Sequence, residues 1–179
     1  LEVNPLLRLS RAKTFLNKTK RHFYNMAYWL FKTEPDAFSI DDLANRPEQT
    51  EPWDGVRNYQ ARNFLRDKVQ LGDKVFIYHS SCKQVGIAGV AEVVKAGYPD
   101  TEQFNPESKY YDPKASADAP RWYRVDVKFV EKFNTVLPLK IIKSLPEVTE
   151  VGLVKKGHRL SIMPVEENEW HALYRAATQ

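Results

Sequence analysis

Apolar positions in this chain recur with two different periods, and the switches between them divide it into elements. Ala27 to Thr33 is almost unbroken apolar sequence that turns polar at Lys32-Thr33-Glu34, so a short strand is expected, ended by Pro35. Ser39 followed by Asp41 and Asp42 is an N-cap with acids in the first turn, which predicts a short helix. Residues 46–58 are expected to be loop, with Pro47 and Pro52 opposing regular structure. Tyr59, Phe64 and Leu65 lie at helical spacing in a segment running to Lys68, before the turn Leu71-Gly72-Asp73.

Strand period then takes over. Lys74 to Ser80 alternates, Ser81-Cys82-Lys83 reads as a hairpin, and Val85 to Lys95 is a Val-rich strand. Gly86 and Gly89 within it predict bends or close backbone approach. Tyr98 to Pro120 is a long Pro- and Tyr-rich stretch without apolar periodicity. Loops of that size in a small domain are usually functional, often as lids. Trp122 to Phe133 alternates again, Leu137 to Ser144 predicts a short helix, and Leu160 to Val165 a last strand. Glu166 to Ala177 places Trp170, Leu173 and Tyr174 on one helical face. Mostly antiparallel strands with short helices early and late give an α+β fold around a curled or closed sheet.

Length and composition narrow this further. A chain of 179 residues with 42% hydrophobic and 12% aromatic content carries one domain with a sizeable core. Lone Cys82 forbids an intramolecular disulfide or a cysteine zinc site and suits a reducing, intracellular setting, cytoplasmic or nuclear. No apolar run approaches membrane-spanning length, and His22, His79, His158 and His171 are scattered, so neither membrane nor metal is expected. The net charge of +4 is uneven. Residues 1–25 hold six basic residues against Glu2 alone, and the remainder holds twenty-one basic against twenty-two acidic. The segment 1–25 reads as a basic tail outside the domain: a leader, a nucleic-acid-binding arm, or sequence upstream of a start at Met26. The domain is expected over residues 26–179. Any phosphate contact by it must then be a local patch.

The candidate chemistry concentrates in two places. Lys32 and Thr33 stand at the polar end of the first strand. Trp53 to Asn63 puts an aromatic ring, a carboxylate, a permissive glycine, guanidinium groups and a carboxamide on one loop before a helix. Such a set suits a flat polar ring, with Trp to stack and amides and charges to read its edges. Trp53 on a loop is read as a stacking residue, and base–aromatic stacking contributes ~1–3 kcal/mol. Asp54, Val56 and Asn58 flank it, with capping as the structural alternative for Asp54 and Asn58. Tyr78, His79 and Ser80 end a strand in polar groups. Trp29 and Trp122 are each read as either a cage wall or core. Arg57 and Arg62 are the expected phosphate contacts.

These segments carry a family resemblance. Tyr28-Trp-Leu-Phe-Lys-Thr-Glu-Pro35, Trp53 to Asn63, Phe76-Ile-Tyr-His-Ser80, Gly86-Ile-Ala-Gly-Val-Ala-Glu-Val93 and Arg159-Leu-Ser-Ile-Met-Pro-Val165 stand in the order found in the EVE domain family, from about Ala27 to about Tyr174. The resemblance implies a PUA-like barrel, a binding module for DNA or RNA, and recognition of a methylated or hydroxymethylated base in an aromatic cage. A more distant likeness to YTH domains implies pocket roles for Lys32-Thr33, Trp53, Tyr78-His79-Ser80 and Trp122. Thr33 and the charged Asp54-Gly-Val-Arg57 depart from that pattern, so a methyladenine preference does not carry over.

An enzyme requires a nucleophile with a positioned base, paired carboxylates or a metal. Cys82 has no evident partner, and the adjacent His79 and Ser80 point to opposite faces of a strand. The expectation is a non-enzymatic, monomeric reader of nucleic acid without a cofactor. The alternative is a receptor for a free small molecule such as a modified nucleoside or nucleotide.

Overall fold

The computed structural model describes residues 26–179; the expectations for residues 1–25 lie outside that range. Six strands form one sheet in the order β2-β5-β4-β3-β1-β6: β1 Tyr28–Thr33, β2 Thr50–Trp53, β3 Lys74–His79, β4 Gly86–Pro99, β5 Tyr123–Pro138 and β6 Ile162–Val165. Only β1 and β3 pair in parallel. The α+β architecture is the expected one, and the sheet is curled and open, ending at β2 and β6. Register shifts in the β3–β4 and β4–β5 ladders supply the curl, since each bulge increases local twist.

Strand alternation divides the core in two. Trp29 and Phe31 face a cluster with Leu43, Trp53, Leu65 and Val127, beneath α1 (Ile40–Asn45) and α2 (Tyr59–Asp67). Leu30, one residue out of phase, joins Phe76, Phe133, Trp170 and Leu173 on the other face. There α3 (Leu139–Ile142) and α4 (Glu167–Thr178) close the second layer, and Phe76 stacks on Trp170 with ring centroids 3.7 Å apart.

Side-chain caps start α1 and α2, and a buried carboxylate anchors α4. The Ser39 hydroxyl accepts from Asp42 N and the Asp42 carboxylate accepts from Ser39 N, a reciprocal capping box that sets α1. The Asn58 carboxamide oxygen accepts from Gln60 N and Ala61 N at the start of α2. The buried Glu169 carboxylate accepts from three consecutive backbone N–H groups, Thr149, Glu150 and Val151, tying α4 to the loop before β6.

Three expectations need correction. Residues 50–53, expected to be loop, form β2, because Pro52 is tolerated on an outermost strand. Strand β5 continues to Pro138, and the helix after it is confined to four residues. Strand β4 continues to Pro99, shortening the connection before Trp122. Among the described residues, no helix is long and apolar enough to cross a membrane. No group of three or more His, Cys, Asp or Glu residues there could hold a metal ion.

Candidate functional site

Strands β1 and β3 end side by side at Thr33 and His79, and a cavity of about 630 Å³ opens between that end and Trp53, the last residue of β2. Its wall includes Lys32 and Thr33 from β1, Trp53 to Arg57 from β2 and the segment after it, Ser80 after β3, and Arg159 and Ser161 before β6. Phe38 and Arg46 flank α1, and Lys109 and Tyr110 come from the long β4–β5 connection. The volume lies within the range of small-molecule sites, roughly 300–1,000 Å³.

Backbone contacts hold these segments in register. Lys32 N donates to Ser161 O at 2.8 Å, and Ser80 N donates to Thr33 O at 2.8 Å. The Thr33 hydroxyl donates to Phe38 O at 2.8 Å, and the Ser80 hydroxyl to Thr33 O at 3.3 Å. Trp53 is 8% exposed; it packs on Phe31 and meets Phe38 edge-on, with centroids 6.1 Å apart. Burial lowers the pKa of Lys32, whose ammonium lies 5.8 Å from the Tyr78 ring centre. Asp54 has its carboxyl raised above the ordinary range, first by burial and then by the neighbouring Asp100 charge.

Behind this wall, Asp100 fixes the long connection. Fully buried, it accepts from Arg57 Nη1 at 2.7 Å, Gly55 N at 3.1 Å and Glu102 N at 3.0 Å. Nε and Nη2 of Arg57 both donate to Tyr110 O, at 3.0 and 2.7 Å. The guanidinium thus clamps Tyr110 in place with its carbon 5.1 Å from the Tyr110 ring centre. Gly55 has φ +71, and a Cβ there would stand 2.5 Å from Tyr110 Cζ. Glycine is needed twice over, for the backbone angle and for the ring.

Of the residues singled out from sequence, Lys32, Thr33, Trp53, Asp54, Val56, Arg57 and Ser80 line this one cavity, as does Ser161. Six others do not. Trp29 is in the core: its indole N–H donates to the buried Asp73 carboxylate at 2.8 Å, and its ring packs on Phe64. Tyr78 is buried in the opposite cluster, its phenol pushed up to about 12, chiefly by burial. Nε2 of His79 accepts from Ile40 N at 3.1 Å, beneath α1, and burial lowers its pKa. Asn58 caps α2. Trp122, 6% exposed, stacks on Tyr59 at 4.9 Å and donates its indole N–H to Asp112 at 2.8 Å, away from the cavity. Arg62 lies over Tyr59 and Trp122 and donates to Arg121 O and Asn63 Oδ1.

Phe38, Lys109, Tyr110 and Arg159 belong to the wall but were not singled out. Only the length and tyrosine content of the β4–β5 connection pointed towards Lys109 and Tyr110.

The EVE domain model matches residues 27–176. Human thymocyte nuclear protein 1 is 43% identical over 169 residues, covering 85% of this chain and 75% of that one. A Pseudomonas putida crystal structure is 49% identical with TM-score 0.81, covering 84% of this chain and 99% of the other. The human THYN1 protein in complex with 5-methylcytosine-containing DNA is 41% identical with TM-score 0.76, covering 86% of this chain and 99% of that one.

Proposed function

This chain belongs to the EVE domain family, and on that premise we propose that it is a non-enzymatic nucleic-acid-binding module whose cavity receives a modified cytosine. The observation that carries the proposal is the composition of the wall. Trp53, Phe38 and Tyr110 supply aromatic surface, while Lys32, Asp54, Ser80 and Ser161 supply polar groups around it. A base lifted out of its stack costs a few kcal/mol. Stacking at ~1–3 kcal/mol per base, with hydrogen bonds to its edge, offsets that cost. Asp54 is the natural partner of the exocyclic amino group, the donor that distinguishes cytosine from thymine. The relative bound to 5-methylcytosine DNA supports the choice of ligand.

Titration calorimetry with matched oligonucleotides carrying one cytosine, 5-methylcytosine or 5-hydroxymethylcytosine tests this reading, together with the corresponding free nucleosides. A preference for one modified oligonucleotide over its unmodified twin of about tenfold, about 1.4 kcal/mol, is expected. Equal affinity for all three oligonucleotides would remove the base-reading role. The near-balanced charge of residues 26–179 favours a second reading, a receptor for the free nucleoside. In that case the nucleoside binds as tightly as the oligonucleotide and without salt dependence.

A further inference from the structure

We infer that Lys109 and Arg159 form a phosphate clamp at the rim of the cavity, so that the ligand is a nucleotide within a strand. The inference rests on the reading of the cavity as a base site and identifies what holds the flanking backbone. Five cations stand on the cavity wall against three carboxylates, yet they are not equivalent. Arg57 is committed to Asp100 and to the Tyr110 carbonyl, and Arg46 to Glu51 at 2.9 Å. Lys32 is half-buried, with its ammonium over the Tyr78 ring. Among the described residues, neither Lys109 nor Arg159 forms an ion pair, and both are exposed.

Their placement is more specific than two solvated charges would need. Lys109 directly precedes Tyr110, whose carbonyl is gripped by Arg57, so its backbone is anchored. Its ammonium lies 4.9 Å from the Tyr110 ring centre. Arg159 reaches the wall from a separate segment, two residues before Ser161, whose carbonyl is bonded to β1. A base entering a cavity brings a phosphodiester on each side of its sugar, and these stay at the rim. Two unpaired cations from two segments answer that arrangement, whereas a neutral nucleoside offers them nothing to bind.

The test measures binding of four ligands at several salt concentrations: a 5-methylcytosine oligonucleotide, its unmodified twin, the free 5-methyl nucleoside and its 5′-monophosphate. Lys109→Gln and Arg159→Gln are each expected to weaken both oligonucleotides by about three- to tenfold and make log K against log salt shallower by about 0.7 per lost contact. Preference for the modified base and affinity for the free nucleoside should be unchanged, and Lys109→Arg should restore binding. An unchanged salt slope and affinity in the double variant, with modified-base preference intact, would overturn the clamp and leave the base-reading proposal standing. A wild-type protein that binds nucleoside and oligonucleotide equally overturns the clamp as well. If the monophosphate alone shows the full effect of both variants, the site takes a terminal phosphate and the strand assignment falls.

Discussion

The ring of Tyr110 rests against Gly55, across fifty-five residues of sequence, so closely that residue 55 has no room for a side chain. Gly55→Ala therefore combines a left-handed backbone angle with a clash against the ring of Tyr110, whose carbonyl Arg57 holds. A loss of about 1–3 kcal/mol is expected, read as a lower urea midpoint, with weaker ligand binding because Tyr110 must move. An unchanged midpoint would mean that the β4–β5 connection is not anchored at this point.

Arg57→Ala should destabilise the fold rather than merely weaken binding. It leaves the fully buried Asp100 carboxylate without its guanidinium partner, with Arg124 Nη1 the next nearest at 3.9 Å. Removing one member of a buried pair typically costs ~3–5 kcal/mol, and the lower end applies here because Arg124 remains. Arg57→Lys should rescue little, since an ammonium cannot reproduce the guanidinium fork between Asp100 and the Tyr110 carbonyl. Chemical denaturation of both variants measures this; a wild-type midpoint for Arg57→Ala would refute it.

Trp122→Ala and Trp53→Ala should separate. Both rings are buried, so each variant should lose about 3–5 kcal/mol of stability. Only Trp53 lies on the cavity wall. In conditions where both variants remain folded, modified-base preference should fall for Trp53→Ala and persist for Trp122→Ala. Circular dichroism establishes folding before titration. A matching loss of preference for Trp122→Ala would place its ring in the recognition site.

Asp54 gives a pH test of base reading. Burial and the neighbouring Asp100 charge raise its pKa, so less acid is needed to form the neutral carboxyl, which can donate to N3 of cytosine while accepting from the N4 amino group. Affinity for the modified oligonucleotide should therefore rise as pH falls through the raised pKa of Asp54. Asp54→Asn presents the same donor and acceptor at every pH, so its profile should be flatter. Asp54→Ala should lose about 1–3 kcal/mol of discrimination. Identical pH profiles for wild type and Asp54→Asn would exclude this carboxyl from the effect.

His79 sets a different pH dependence, that of stability. Its folded pKa is depressed by burial, so the unfolded chain binds the proton more readily. The stabilisation is complete above the ordinary histidine value, about 6.5, and is lost as pH falls towards the folded value. His158, also lowered by burial, acts in the same direction. The urea midpoint should drop between pH 7.5 and 5.5, and drop less in His79→Gln, whose carbonyl can still accept from Ile40 N. A drop of equal size in the variant would assign the effect elsewhere.

Five of the six strands, the Ser39 cap and the convergence of Lys32, Thr33, Trp53 and Ser80 were legible because local pattern fixes them: an apolar run ending in polar residues marks where a strand leaves the core. The roles of two other tryptophans were not. Trp29 and Trp122 each satisfy an indole N–H with a carboxylate, Asp73 and Asp112, and nothing in the sequence marks those pairings. The structural role of Arg57 was hidden for a related reason. A guanidinium on a loop looks available to phosphate until the fold brings Asp100 beneath it. Tyr110 could not be found without knowing that residue 55 must be bare. Pro52 misled in the opposite direction, because its effect depends on whether a strand is central or outermost.

That last dependence extends to the open ends of the sheet. Both outermost strands are four residues long, and both have proline at the third position, Pro52 in β2 and Pro164 in β6. The Lys32–Ser161 bond fixes the β1–β6 phase, which puts Pro164 opposite Trp29 at a non-hydrogen-bonded position with its ring nitrogen facing outwards. The outer rim of β6 therefore lacks a donor where a foreign strand would dock. An unclosed sheet normally invites end-to-end growth and fibrillar self-association, and short, proline-interrupted rims are a defence against it.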